Sequence, residues 1–222
     1  DGLGDGVDHG EVAGEGFAVT LALSGTETAD SLVDVDCGEA TNCSALRHRG
    51  GLGGVLGVQV TPLFGAWLHV GSETVSVAQA EFNGEGFSGN GGVLLNLRPQ
   101  APTGAMVWAN GVYGYAKSNG ASSARRWGVR AGGAARMGVP DDQFVAWLGA
   151  ELAINADDEM SLLNGKVALD LAAPIPANVV AGFTMLSESL AGAGTQAPRL
   201  LLATDLSWGA ESAVRVSLGS SF

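Results

Sequence analysis

From Gly16 onward, large apolar residues alternate with small or charged ones in blocks separated by turn residues. Over 125–138, Trp127, Val129, Ala131, Ala135 and Met137 share one parity, while Arg126, Arg130 and Arg136 share the other with Gly128, Gly132 and Ala134. The next block sets Phe144, Ala146, Leu148, Leu152 and Ile154 against Trp147, Gly149, Glu151 and Asn155. Over 161–173, Leu163, Val167, Leu169 and Leu171 oppose Asn164, Lys166 and Asp170. Leu200, Leu202 and Leu206 oppose Arg199, Asp205 and Ser207, and Val214, Val216, Leu218 and Phe222 oppose Arg215 and Ser217. With faces assigned from the apolar residues alone, Arg126, Arg130, Arg136, Glu151, Lys166, Asp170, Arg199, Asp205 and Arg215 all fall on the opposite face. Arg125, at a block edge, is the exception. A helix would group positions three and four apart, so these blocks are strands.

Further strands are expected over 16–24, 51–61, 63–71, 73–82, 87–98, 103–116 and 178–188, with Asn83-Gly84 as a hairpin signal. The total is twelve strands, or ten if adjacent segments merge. Residues 1–15 read as a flexible acidic arm, 16–222 as one domain, and 25–50 as its longest connection.

Two architectures bury one face of many antiparallel strands: a soluble sandwich or barrel, and a membrane barrel whose apolar face meets lipid. The opposite face here is rich in Gly, Ala and Ser interleaved with Arg, Glu, Asp and Lys, unlike an ordinary water-facing surface. Alternating blocks of about 9–11 residues suit a tilted bilayer-spanning strand. Composition agrees: 35 of 222 residues are Gly, 46% are hydrophobic and 15% are charged, against about 25% charged in soluble domains. No apolar run reaches the roughly 18 residues of a membrane helix. The fold expected is all-β: a closed, antiparallel, up-and-down transmembrane β-barrel, with a secreted soluble β-sandwich as the lesser alternative. Trp67, Trp108, Tyr113, Tyr115, Trp127, Trp147 and Trp208 are candidates for aromatic girdles at its rims.

The net charge of −12 is local. Residues 1–46 hold ten acids and no Lys or Arg, which leaves 13 acids against 11 bases elsewhere. A nucleic-acid partner is excluded, because that role needs a basic stripe.

The segment Ser212-Ala-Val-Arg-Val-Ser-Leu-Gly-Ser-Ser-Phe222 resembles the terminal strand of Gram-negative outer-membrane β-barrel proteins, the porin-like superfamily, with Phe222, Leu218, Val216 and Val214 in register and Ser220 as a departure. The resemblance implies that this strand is the signal read by the barrel-assembly machinery. It also implies periplasmic termini, an even strand number, an extracellular 25–50 segment, and a signal peptide already removed before Asp1. Outer-membrane lipid and lipopolysaccharide are then the surrounding partners.

In such a barrel the nine charges opposite the apolar face line the lumen, six bases against three acids. The function expected is a narrow passive channel for small solutes with mild anion preference, since rings of fixed charge set pore selectivity. The alternative is a non-conducting structural, adhesive or assembly-subunit barrel braced by salt bridges. Cys37 and Cys43 could close a small disulfide in an oxidising compartment. Asp30, Asp34, Asp36 and Glu39 are candidate Ca²⁺ ligands beside the simpler reading of a solvated acidic loop. No other cofactor is expected. His69, Ser72 and Glu73 are the nearest approach to an outer-membrane lipid hydrolase constellation, but their spacing matches no hydrolase, and the chain is not expected to be an enzyme.

Overall fold

The computed structural model describes the chain outside residues 1–16, 30, 36–42, 79–80, 119, 121, 139–142, 163–164, 172–176, 188–197 and 210–211, and describes backbone alone at 31–32, 34–35, 43, 154–157, 162 and 165–171. The described residues form strands β1 (Ala18–Thr28), β2 (Ser31–Val35), β3 (Cys43–Gln59), β4 (Phe64–Val77), β5 (Phe82–Leu97), β6 (Thr103–Ser118), β7 (Ser123–Met137), β8 (Phe144–Leu162), β9 (Gly165–Leu171), β10 (Ala177–Leu186), β11 (Arg199–Gly209) and β12 (Ala213–Ser221). All pairings are antiparallel, and β1 pairs with both β3 and β12, so the sheet closes on itself. Closure leaves no unpaired edge.

The twelve segments make ten passes, not twelve. β2 continues β1 along β3: Glu27 stands opposite Gly50, and Ser31 opposite Arg47. β9 and β10 likewise form one pass along β8, with Ala168 opposite Glu159 and Ala177 opposite Leu152. The neighbours expected at 63–71 and 73–82 merge as far as Val77 into the single strand β4, and Phe82 begins β5. The expected long connection 25–50 contains the end of β1, all of β2 and the first part of β3. Asn83 and Gly84 lie inside β5, and the turn falls earlier, where the Glu81 amide donates to the Ala78 carbonyl.

Strand lengths divide the wall in two. β1, β10, β11 and β12 have 11, 10, 11 and 9 residues, about what a tilted strand needs to cross hydrocarbon. β3 to β8 have 14 to 19 residues. The β11–β12 hairpin therefore stops partway up, and the amide of Ala29 donates to the Ser212 carbonyl at its tip. Gly209 is required there: its φ is 150° and an added Cβ would lie 2.3 Å from the Ala177 carbonyl oxygen. Above the tip, β2 pairs directly with β9 through Val33–Leu171, Asp34–Asp170 and Val35–Leu169. A ten-strand lower barrel, at the end holding Phe17 and Phe222, thus narrows to an eight-strand upper ring of β2 to β9.

The two levels are built inside out relative to each other. Around the lower barrel the large apolar side chains point outward: Leu23, Leu52, Leu148 and Leu218 are all more than 60% exposed. In the upper ring the apolar side chains point inward, and Val33, Ala45, Val75, Val77, Phe82, Ala116, Ala124 and Met160 pack into one buried cluster. The outward positions there carry Ser44, His48, Thr74, Asn83, Glu85, Lys117 and Arg125, with Leu46 as an apolar exception. A barrel wall facing hydrocarbon must be apolar outside, while one facing water must be polar outside. Phe87, Tyr113, Tyr115 and Trp127 mark the boundary between levels on the outer face, with Phe87 and Tyr113 ring centroids 5.7 Å apart. Phe144 and Phe183, stacked at 6.0 Å, lie near the opposite rim.

Three tryptophans expected in girdles, Trp67, Trp108 and Trp147, point into the lumen instead. Each indole needs room across a neighbouring strand. An added Cβ at Gly132 would lie 2.4 Å from Trp108, and one at Gly182 would lie 2.4 Å from Trp147. Part of the glycine excess is therefore packing space for inward aromatics.

Candidate functional site

The lumen collects the chemistry-bearing side chains, and strand parity decides which of them enter it. At the top the buried cluster fills the upper ring, with Val33, Val77, Phe82 and Met160 among its least exposed members. Directly associated with it is a charged layer. Arg47 and Arg49 come from the inward parity of β3, and both donate to the same carboxylate oxygen, Oδ2 of Asp158. The Arg49 distance is 3.4 Å, and all three side chains are nearly inaccessible to solvent.

Asp158 reaches the lumen through a β-bulge. Below it, Gly128 on β7 pairs with Asn155 on β8; above it, Trp127 pairs with Asp157, so one extra residue is accommodated in β8. That single insertion reverses the parity of β8. Odd positions such as Glu151 face inward below the bulge, and the even positions Asp158 and Met160 face inward above it.

Beneath the Arg47–Asp158–Arg49 layer lies a cavity of about 90 Å³, bordered by Arg49, His69, Glu73, Arg126, Arg130 and Arg215. Arg126 meets Glu73 at 3.3 Å and Arg130 meets Glu151 at 3.5 Å. The Trp108 indole donates to Glu151 Oε2 at 3.0 Å, and the Trp67 indole to Asn90 Oδ1 at 3.1 Å. Asp205 and Arg215 are direct cross-strand partners on the inward parity of β11 and β12. Near the lower rim Arg136 donates to the Arg98 carbonyl at 3.0 Å, and Arg199 to the Ser187 carbonyl at 2.9 Å. The barrel interior is thus a brace of ion pairs and indole hydrogen bonds.

Of the nine charges read as luminal, Arg126, Arg130, Arg136, Glu151, Arg199, Asp205 and Arg215 occupy the inward parity of the lower barrel. The remaining two are Lys166 and Asp170. Their side chains lie outside the described residues, but the backbone register sets position 166 opposite Ser161 and position 170 opposite Asp34 in the upper ring. Arg47, Arg49, Asp158 and Glu73 were not read as luminal. Their sequence signal is Arg47 and Arg49 two residues apart, flanked by Ala45 and Gly51, within the 25–50 segment whose pattern predicts a connection.

His69 and Glu73 share the inward face of β4, whereas the Ser72 hydroxyl is on the outer face and donates to the Leu52 carbonyl at 3.1 Å. The histidine and serine are therefore on opposite sides of the wall. Cys37, the Cys43 side chain, Asp30, Asp36, Glu39 and the Asp34 side chain lie outside the described residues. Among the described residues no cluster of three His, Cys, Asp or Glu is placed to hold a metal ion. Val214, Val216 and Leu218 line the outer face of β12, followed by exposed Phe222. The Phe222 amide donates to the Val19 carbonyl at 2.9 Å, which ties the chain's last residue into the closing seam.

No protein-family model matches this sequence, and no curated protein matches it. Among solved structures it is similar to the crystal structure of the transport unit of the autotransporter AIDA-I from Escherichia coli, with a TM-score of 0.44 and 12% identity over 97% of this chain and 92% of that one. The class its own geometry defines is a closed, antiparallel, up-and-down ten-strand β-barrel, apolar outside and charged within.

Proposed function

We propose that this chain is an outer-membrane β-barrel whose upper ring projects into water and closes the lumen, so that it serves as a structural, adhesive or assembly-subunit barrel rather than as an open pore. The inversion of the wall carries this reading. The outward apolar band on β7 runs from Trp127 to Met137, a span that fits the bilayer core. Above that level the same strands turn polar outside and apolar inside, as a water-exposed domain requires. In this reading Phe17 and Phe222 are on the periplasmic side, the upper ring is extracellular, and lipid with lipopolysaccharide surrounds the lower barrel. The exposed Val214-Val216-Leu218-Phe222 row would be presented to the barrel-assembly machinery. A disulfide between Cys37 and Cys43 would staple the connection between β2 and β3.

The channel reading rests on the arginine-rich cavity and its excess of fixed positive charge. Against it stands the buried cluster of the upper ring, whose side chains occupy the route a solute would take. One measurement tests the barrel itself and a second separates the two readings. Extraction in detergent with heat-modifiable migration on SDS gels is expected for either barrel, and solubility without detergent would overturn both. In planar lipid bilayers the purified protein is expected to give no steady conductance. A reproducible, anion-selective conductance would establish the channel instead.

A further inference from the structure

We propose that Ser76, His48 and Glu27 form a serine-esterase site on the outer face of the wall, with Asn83 as its oxyanion donor and a lipid acyl ester as its substrate.

Four strands bring these residues together, and no spacing along the chain reveals them. His48 on β3 and Ser76 on β4 are direct cross-strand partners, and Ser76 in turn stands opposite Asn83 on β5. Glu27 on β1 stands opposite Gly50, two residues from His48, and its Oε1 lies 2.8 Å from His48 Nε2. An added Cβ at Gly50 would lie 2.8 Å from Glu27 Oε2, so this glycine makes room for the carboxylate above β3. Directly opposed residues have Cβ atoms about 5 Å apart, which lets a serine and a histidine come within hydrogen-bond reach. The other outward hydroxyls of β4 are committed to the wall: Ser72 donates to the Leu52 carbonyl at 3.1 Å and Thr74 to the Gly50 carbonyl at 3.2 Å. The Ser76 hydroxyl is not so tied among the described residues. The Glu27 and His48 side chains are 69% and 38% exposed, so a substrate reaches them from outside the barrel.

The row supplies each role of acyl transfer. With the proton on Nε2 held by Glu27, His48 is basic at Nδ1. Ser76 Oγ attacks the ester carbonyl carbon while its proton passes to His48, and the Asn83 amide donates to the oxygen that becomes negative. The C–O bond to the alcohol then breaks, and His48 returns the proton to the departing oxygen. Water attacks the acyl-Ser76 ester next and gives a proton to His48, which passes it to Ser76 Oγ as the carboxylic acid leaves. The balance is ester plus water to acid plus alcohol.

The substrate class follows from what lies below the row. On the same strands Leu21, Leu23, Leu56, Leu68 and Val70 surround Gly54 in an outer groove of about 620 Å³ that is lined only by apolar residues. Such a lining accepts hydrocarbon and offers nothing to a peptide backbone. Gly54 is six residues from His48 on β3, about 20 Å along a strand at about 3.3 Å per residue. A tilt of about 45° reduces this to about 14 Å of height, close to one leaflet of a hydrocarbon core about 30 Å thick. An acyl chain whose far end lies in the groove therefore brings its ester to Ser76. This choice of substrate rests on the membrane reading, whereas the row of side chains does not.

The test uses the full chain folded in detergent, with p-nitrophenyl palmitate or p-nitrophenyl butyrate in micelles, and separately with a fluorophosphonate that labels activated serines. Peptide mass spectrometry is expected to find the label on Ser76. The palmitate ester is expected to be cleaved with a kcat/KM at least about tenfold above that of butyrate, since each buried methylene favours binding. Ser76→Ala and His48→Gln should each lower kcat/KM about a hundredfold or more, and Asn83→Ala should lower kcat about a hundredfold, whereas Ser72→Ala on the same face leaves both unchanged. An added Cβ at Gly54 meets nothing within 4 Å, so Gly54→Phe fills the groove and should lower the palmitate-to-butyrate ratio about tenfold. Heat-modifiable migration confirms that each variant is folded. A label on another serine and not on Ser76, or cleavage unaltered by Ser76→Ala, overturns the site. Butyrate cleaved as fast as palmitate overturns the lipid assignment. Solubility without detergent overturns the membrane reading, and it is distinguishable because labelling of Ser76 needs no lipid.

Discussion

The lower barrel and the upper ring share six strands, yet they place hydrophobic residues on opposite faces. Two strands show that the reversal is achieved in two ways. β4 keeps one register against β5 from Phe64 to Val77, so even positions face outward throughout. Its sequence changes phase instead: Leu68 and Val70 are apolar and outward, whereas Val75 and Val77 are apolar and inward. β8 does the reverse. Its apolar residues stay on even positions from Phe144 through Leu152 to Met160, and the bulge near residue 156 turns those positions from outward to inward. The period of two fixes that a strand has two faces; in the membrane reading proposed above, the medium at each level selects which face is apolar.

The largest effect should come from the layer that joins the two regions. Asp158→Ala removes a carboxylate that Arg47 and Arg49 share in a buried layer and is expected to destabilise the upper ring by about 3–5 kcal/mol. Limited proteolysis should then cut β2 or β3 while the detergent-extracted lower barrel keeps its heat-modifiable migration. Simultaneous loss of both would show that the two levels unfold as one unit.

A matched pair tests the inversion itself. Val129→Arg puts a charge on the outer face of the lower barrel and is expected to cost about 2–4 kcal/mol in lipid. Leu46→Lys puts one on the outer face of the upper ring, where it should change stability by no more than about 0.5 kcal/mol. Urea unfolding in lipid vesicles measures both. Equal costs would mean that both levels meet the same medium.

Gly132→Ala drives a methyl against the Trp108 indole and should cost about 1–3 kcal/mol through overpacking. Displacement of Trp108 from Glu151 is expected as a change in its fluorescence. Arg125→Gln is the smallest perturbation. Its 3.3 Å pair with Glu159 is solvent-exposed on the arginine side and should contribute at most about 1 kcal/mol.

Much of the lower barrel was legible along the chain. The alternation around Arg126, Arg130 and Glu151 separated outward apolar from inward positions because that alternation runs uninterrupted along the strand. Strand number was less legible. The phase change in β4 read as a strand boundary, because in sequence a reversed pattern and a new strand look alike. Residues 25–50 read as a loop for a related reason: they mix outward polar residues with inward Ala45, Arg47 and Arg49, so no run of large apolar residues marks one face. The luminal brace was half visible. Arginines in an alternating strand announce their face, but the partner of each depends on register across strands far apart in sequence, as between Arg47 and Asp158.

By itself, the sequence determined the all-β class, the antiparallel alternation and the split of each strand into a large apolar face and a small or charged face, because these follow from neighbouring residues and a period of two. Only the tertiary structure decided that ten passes narrow to eight, that β2 and β9 meet above the short β11–β12 hairpin, and that the apolar face turns inward above that level. Those outcomes depend on which strands run out first and on one bulge's effect on register, and both are settled when the wall closes around its contents.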